Sequence, residues 1–236
     1  MLVEKGQVPM KKISSNSKKF TLIGLTVLTC EPIMCILIIE GKRPNPSIEA
    51  GIDIRVTPTG SFSDSDFIWK NCGNSKFFPG GPECTFRGNK VPAFIRWHGS
   101  ASITSEILVR TDVAKFDALD LFPRTDKVKP FLLLDGHGSQ LQLPFLKYIN
   151  NPKDNWVVCI GVPYGTALWQ VGDSKEQNGS FNIAITKAKD ELLAFKESIG
   201  LSNGLVPIDM MPVINNAWRQ SFTRIEKNKH AISNRG

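Results

Sequence analysis

Pro130-Phe-Leu-Leu-Leu-Asp-Gly-His-Gly-Ser139 is the stretch on which the fold turns. Four apolar residues, Phe131 to Leu134, run without interruption into a carboxylate, Asp135. A short apolar run with no alternation is what a strand covered on both faces presents, and such strands belong to parallel or mixed sheets. Gly136-His137-Gly138-Ser139 turns the chain, and Leu141, Phe145, Leu146 and Ile149 then mark a helix packing back. Trp156-Val-Val-Cys-Ile160 reads as the next buried strand, with Gly161-Val-Pro-Tyr-Gly-Thr166 as the loop that leaves it. Strand, turn, helix and strand in this order predict an α/β fold. Asp135 then lies at the carboxyl end of a central strand, where open α/β sheets bind their ligands.

Downstream, Phe181, Ile185, Ala188, Leu192, Phe195 and Ile199 recur at alternating steps of four and three, one apolar stripe on a long helix. Gly200 is its natural stop. A last helix is expected over 213–226, with Ile214, Trp218, Phe222 and Ile225 on one side, running into a basic tail, 227–236.

Upstream, Phe20 to Ile39 is long enough for a bilayer, roughly 20 residues. Glu31-Pro32 in its middle argues otherwise, because a carboxylate is costly in lipid and Glu-Pro breaks a helix. Two strands, 20–29 and 33–40, joined by a turn fit the β-branched composition better, so no membrane partner is expected. Residues 1–19 form a polar, basic N-terminal segment without a signal-peptide pattern. Residues 41–91 are dense in Pro, Gly, Ser, Asn and Asp and predict a loop-rich insertion with short strands. Pro92 to Trp97 is a short strand, and apolar spacing from Ser102 to Leu119 predicts two helices broken near Thr111-Asp112.

The chain's 236 residues are enough for one large domain, here placed at 20–226, and can bury a real core. With 41% hydrophobic and 22% charged residues, collagenous, low-complexity and wholly disordered readings are excluded. A net charge of +7 favours an anionic partner such as nucleic acid. Five cysteines without a CxxC pair argue against a disulfide scaffold or a zinc finger and for a reducing, intracellular compartment. Cys30, Cys35 and Cys159 read as buried apolar residues, while Cys72 and Cys84 flank a Gly/Pro-rich loop where they could share a metal or a bridge.

Asp173 lies 38 residues beyond Asp135, at the approach to the long helix. Two carboxylates at one sheet edge repel each other unless a cation neutralises them. Oxygen-only ligands with room for water suit Mg²⁺ or Mn²⁺, and two such ions about 4 Å apart support phosphoryl transfer. The plain alternative is that Asp135 ends a strand at a turn and Asp173 caps the helix.

The block Pro130 to Ser139 resembles the second catalytic-aspartate motif of the DDE superfamily endonucleases, the transposase-derived group related to pogo and mariner elements. Pro163-Tyr-Gly-Thr-Ala-Leu-Trp-Gln-Val-Gly-Asp173 resembles that group's third motif, with Glu176 as an alternative ligand. The resemblance implies a ribonuclease-H-like mixed sheet flanked by helices, with Phe20–Thr29 and Pro32–Glu40 as its second and third strands. It implies that Asp135, Asp173 and Glu176 supply catalytic carboxylates, that Asp135 and Asp173 bind the metal, and that the activity is Mg²⁺-dependent (or Mn²⁺-dependent) cleavage and strand transfer on DNA. It also implies a nuclear location in a eukaryote and is compatible with a homodimer.

The family's first aspartate has no counterpart, since Glu4 is the only acid before Phe20 and its setting is not that of a buried strand. The chain is therefore expected to be a fragment, or a decayed or repurposed copy. A non-catalytic, host-adopted nucleic-acid-binding domain is the alternative. His137 could contact a phosphate or be satisfied by backbone; Lys42, Arg43 and Arg224 could follow a DNA backbone or be ordinary surface cations. Trp97, Trp156, Trp169 and Trp218 read as core, and Ser139 lies in no nucleophile-elbow context.

Overall fold

The structure, a computed structural model, describes residues 19–41, 66–68, 84–91, 93–109, 120–122, 124–125, 127–151, 156–162, 165, 170–201, 204–205 and 207–235. Strands β1 (Phe20–Thr26) and β2 (Pro32–Glu40) pair antiparallel, with Phe20 opposite Ile39 and Ile23 opposite Ile36. Between them Cys30 adopts a left-handed φ of 73°, and the backbone N–H of Val27 donates to Glu31 O at 3.1 Å. Pro32 opens β2, where its missing N–H and fixed φ are tolerated. The expected hairpin is therefore present, with a longer turn.

Strands β3 (Asp66–Ile68), β4 (Cys84–Phe86), β5 (Asn89–Val91) and β6 (Phe94–His98) follow. The main sheet has the order β1-β2-β6-β3, with β2 and β6 parallel and the outer pairs antiparallel. Its centre is β2, where Cys35 to Ile39 are entirely buried. Of the expected insertion, only β3, β4 and β5 fall among the described residues; 42–65 and 69–83 lie outside them.

Helix α1 (Ser105–Ile107) starts where Thr104 Oγ1 accepts from the Ile107 N–H. Ser105 Oγ, buried, accepts from the Phe145 N–H at 3.0 Å and so ties this turn to the next layer. Of the helices expected over 102–119, positions 110–119 lie outside the described residues.

Strands β7 (Phe131–Leu134) and β8 (Val157–Ile160) form a separate two-stranded parallel sheet, Leu132 opposite Val158. Helix α2 (Leu143–Ile149) connects them and buries Phe145. Leu141 is exposed ahead of the helix instead of on its packed face. The expectation that both strands are covered on both faces is corrected here. Phe131 is 60% exposed, and Leu133 and Val157 are exposed with it, while Leu132, Leu134 and Val158 pack on the core. A sheet covered on one face alternates in burial even when its sequence does not alternate. Cys159 shares the outer face and is exposed, not buried as its apolar neighbours suggested.

A π turn (Lys175–Gly179) leads into α3 (Ser180–Ser198), whose Ala188 and Leu192 are buried against Val213. Gly200, at φ +79°, ends the helix as expected, although Ile199 is exposed. The single last helix expected over 213–226 is in fact two, α4 (Pro207–Gln220) and α5 (Ile225–Ser233). Ser221 Oγ donates to Ala217 O at 2.7 Å, and Thr223 Oγ1 donates to Arg219 O at 2.8 Å. These hydroxyls satisfy last-turn carbonyls and let the chain leave the helix. Ile225 consequently lies on α5, exposed. The stretch expected as a basic tail is largely α5, with Asn228 and Ala231 wholly buried.

Trp218 and Phe222 stack at 4.7 Å, and Phe181 meets Phe222 edge-on at 5.9 Å. This group rests on β1 at Gly24, where an added Cβ would lie 2.8 Å from the Phe222 ring. The main sheet, β4 and β5, the inner face of β7 and β8, and α2 to α4 share one apolar core. Among the described residues no helix is long and apolar enough to cross a membrane.

Candidate functional site

Asp135 leaves β7 at its carboxyl end, as the sequence pattern predicts. Gly136 follows at φ +79°, a left-handed conformation in which a Cβ would press to 3.2 Å from Ile160 Cγ2. That bend folds the chain into a 3₁₀ turn (Gly138–Gln140) and brings Gln140 back beneath the strand end. Gln140 Nε2 donates to Asp135 Oδ1 at 2.8 Å, and Gln140 Oε1 accepts from the Gly136 N–H at 2.7 Å. The His137 N–H also donates to Asp135 Oδ1, at 3.1 Å. Both donors fall on one oxygen, and among the described residues Oδ2 carries no hydrogen bond.

His137 is exposed and caps the 3₁₀ turn, its Nδ1 accepting from the Ser139 N–H at 3.3 Å and lying 2.9 Å from Ser139 Oγ. A neutral ring that accepts at Nδ1 holds its proton on Nε2, which faces away from this contact. Ser139 is buried, so its pairing with His137 is a local cap and not an accessible nucleophile.

The second cluster lies where the β1–β2 turn, the π turn and α5 meet. Asp173 ends a short 3₁₀ turn (Val171–Asp173), is exposed, and accepts from Asn178 Nδ2 at 3.4 Å through Oδ1. The capping role expected for Asp173 belongs instead to Ser174, whose Oγ accepts from the Gln177 N–H at 3.0 Å. Glu176 Oε1 faces His230 Nε2 of α5 at 3.7 Å. Beneath them Gln177, buried, donates to Thr26 Oγ1 at 3.0 Å and to Asn228 Oδ1 at 2.9 Å. Asn228 Nδ2 in turn donates to Cys30 O at 2.9 Å and Phe222 O at 2.8 Å.

Asp135 and Asp173 thus each sit in a local hydrogen-bonded cluster, and among the described residues no hydrogen bond links the two clusters. Among the described residues no group of three or more His, Cys, Asp or Glu side chains is arranged to hold a metal. Asp135 keeps one carboxylate oxygen without a hydrogen bond among the described residues, while Asp173 and Glu176 lie in the other cluster. The buried amides Gln140, Gln177 and Asn228 escape sequence reasoning, because nothing distinguishes an interior amide from a surface one until the chain is folded.

Arg224, exposed, precedes α5 and lines an open groove of about 670 Å³ with Gln220, Thr223, Ile225, Glu226 and Lys227. Lys42, Arg43, Cys72, Trp169 and most of Pro163 to Trp169 lie outside the described residues. Trp97, Trp156 and Trp218 are buried as expected, Trp156 with the Arg124 guanidinium 5.3 Å from its ring centre. Cys84 is a free, buried thiol. Compared with protein-family models, curated proteins and solved structures, the chain shows no match to any of them.

Proposed function

We propose that this chain is a DDE-type endonuclease domain of ribonuclease-H-like character, directed at phosphodiester bonds of DNA with Mg²⁺ or Mn²⁺. The observation that carries the reading is Asp135. It stands at the carboxyl end of a parallel strand, with one carboxylate oxygen held by Gln140 and the His137 N–H and the other unengaged. Asp173 is the second carboxylate in this reading. Glu176 is the weaker candidate because it faces His230. The mixed sheet, the β1–β2 hairpin and the parallel β7–β8 pair are compatible with a ribonuclease-H-like arrangement.

A divalent cation bound there would supply Lewis-acid stabilisation of phosphate oxygens and an activated water. Gln140 and the His137 N–H orient the carboxylate, and the exposed His137 side chain is the candidate phosphate contact in this reading. The reading carries a nuclear site of action in a eukaryote and leaves room for a homodimer. The test is nicking of supercoiled plasmid DNA with Mg²⁺ or Mn²⁺. Because the family's first aspartate has no counterpart in this sequence, the test uses a longer protein that supplies it: Asp135→Asn should abolish its cleavage, and undiminished nicking in that variant overturns the reading.

A second reading, a non-catalytic nucleic-acid-binding domain, is favoured by the exposed Arg224 and Lys227 on one groove. It expects salt-sensitive DNA binding with no divalent-dependent cleavage.

A further inference from the structure

We infer that two copies of this chain join through the free edge of β7, pairing antiparallel about a two-fold axis. The Val157 N–H donates to Pro130 O at 2.9 Å and the Gly161 N–H to Leu134 O at 2.9 Å. Residues 130, 132 and 134 thus turn their backbone groups toward β8. The N–H and C=O of one strand residue point to the same edge, and successive residues alternate between edges. Phe131 and Leu133 therefore present theirs on the far edge, where among the described residues no strand or other hydrogen-bond partner meets them. Pro130, which has no N–H, faces β8 and leaves that edge complete.

A row of unpaired N–H and C=O groups is a template for another strand. The side chains select a second copy as the occupant. Phe131 and Leu133 are exposed and uncharged, as are Val157 and Cys159 beside them. The charges lie at the two ends of β7 and differ in sign: exposed Lys129 before the strand, half-buried Asp135 after it. An antiparallel copy centred on Leu132 sets Phe131 opposite Leu133 and Lys129 opposite Asp135, and two-fold symmetry makes each pairing twice. Phe131 and Leu133 of opposite copies then exchange both N–H···O bonds. The Lys129 ammonium of one copy meets the Asp135 carboxylate of the other, whose Oδ2 carries no hydrogen bond among the described residues. The free edge of β8 is flanked by Trp156 and Gly161 and offers no such charge pairing. The dimer does not rest on the nuclease reading, and it occupies the carboxylate which that reading uses.

The test is sedimentation velocity of the full chain over a range of concentrations. A contact built on one strand edge is small and transient, so dimer should appear as the concentration rises to roughly 100 μM. Lys129→Glu sets like charges opposite each other and should weaken association by about tenfold or more. Lys129→Glu combined with Asp135→Lys should restore it. Should the double variant not fold, the wild type decides through a zero-length carbodiimide cross-link in an equal mixture of unlabelled and ¹⁵N-labelled chains. Peptide mass spectrometry should find Lys129 of one isotope joined to Asp135 of the other.

A chain that stays monomeric at every concentration overturns the inference. So does wild-type association in Lys129→Glu, or a Lys129–Asp135 link confined to peptides of one isotope, because the contact then lies on another surface.

Discussion

Gly136 carries the bend that makes the Asp135 loop, and its φ of +79° is open to glycine at little cost. An alanine there would meet both a left-handed penalty of about 1–2 kcal/mol and the Ile160 side chain at 3.2 Å. Gly136→Ala should therefore lower stability by about 1–2 kcal/mol in urea unfolding. The cysteines give a second residue-level prediction. Burial pushes the Cys84 thiol up to about 12 from an ordinary 9.0, against a smaller opposing hydrogen bond from the Cys35 backbone. A thiol pKa raised by folding stabilises the fold below the unfolded value, so this contribution is present up to about pH 9 and is lost as pH approaches 12. Iodoacetamide at pH 8 should accordingly label the exposed Cys159 and spare Cys84, as read by peptide mass spectrometry; equal labelling contradicts the burial. Asp135 was legible because an apolar run ending in an acid is a local pattern. Gln140 was not, because its burial depends on the bend at Gly136 and on the layer beneath.

Among the elements, the positions of β1, β2, β6, β7, β8 and α3 follow from apolar spacing that sequence alone displays. Which strand lies deepest does not. The run Phe131–Leu134 has the composition of a central strand but has β8 as its partner strand and a cover on one face. The run Cys35–Ile39 read as half of a hairpin, yet β6 pairs its far edge and makes it the centre of the sheet. Burial of a strand is decided by partners distant in sequence, which periodicity cannot report. The same limit hid the split between α4 and α5, since the apolar spacing runs on through Phe222 while Ser221 and Thr223 turn back onto α4. Asn228 joins the elements there, bonded to the β1–β2 turn, to the α4–α5 turn and to the π turn. Asn228→Ala removes the side-chain donor to two carbonyls and the acceptor of one Gln177 N–H, whose other N–H keeps Thr26, at about 1–3 kcal/mol for each group left unpaired. A loss of at least about 2 kcal/mol is expected in chemical denaturation; a loss under about 0.5 kcal/mol would mean that water replaces the network. Gly24→Val tests the neighbouring contact, where the Phe222 ring lies 2.8 Å from an added Cβ. Overpacking of this kind costs about 1–3 kcal/mol and should be visible in the same measurement.

At the scale of the whole molecule, the +7 charge and the acidic site pull in different directions. A surface of net positive sign attracts a polyanion over a Debye length of about 10 Å at 0.1 M salt, whereas the half-buried Asp135 and the exposed Asp173 of the proposed site repel one. The two are compatible when the cations that meet the phosphate backbone lie apart from the carboxylates and a divalent ion masks the latter. Arg224 and Lys227 meet that condition in part, being on a groove at the α4–α5 corner. Lys227 Nζ already bonds Ser180 Oγ at 3.0 Å, so Arg224 is the better reporter. Binding of the full chain to a short DNA duplex, followed by fluorescence anisotropy at several salt concentrations, should give a linear fall of log affinity with log salt. Arg224→Ala should weaken binding evenly across unrelated sequences and reduce the magnitude of that slope by about 1, the signature of one lost phosphate contact. An unchanged slope removes Arg224 from the interface. Because Arg224 precedes α5 and its side chain takes no part in the Asn228 network, the variant should keep wild-type stability, which separates lost contact from lost fold.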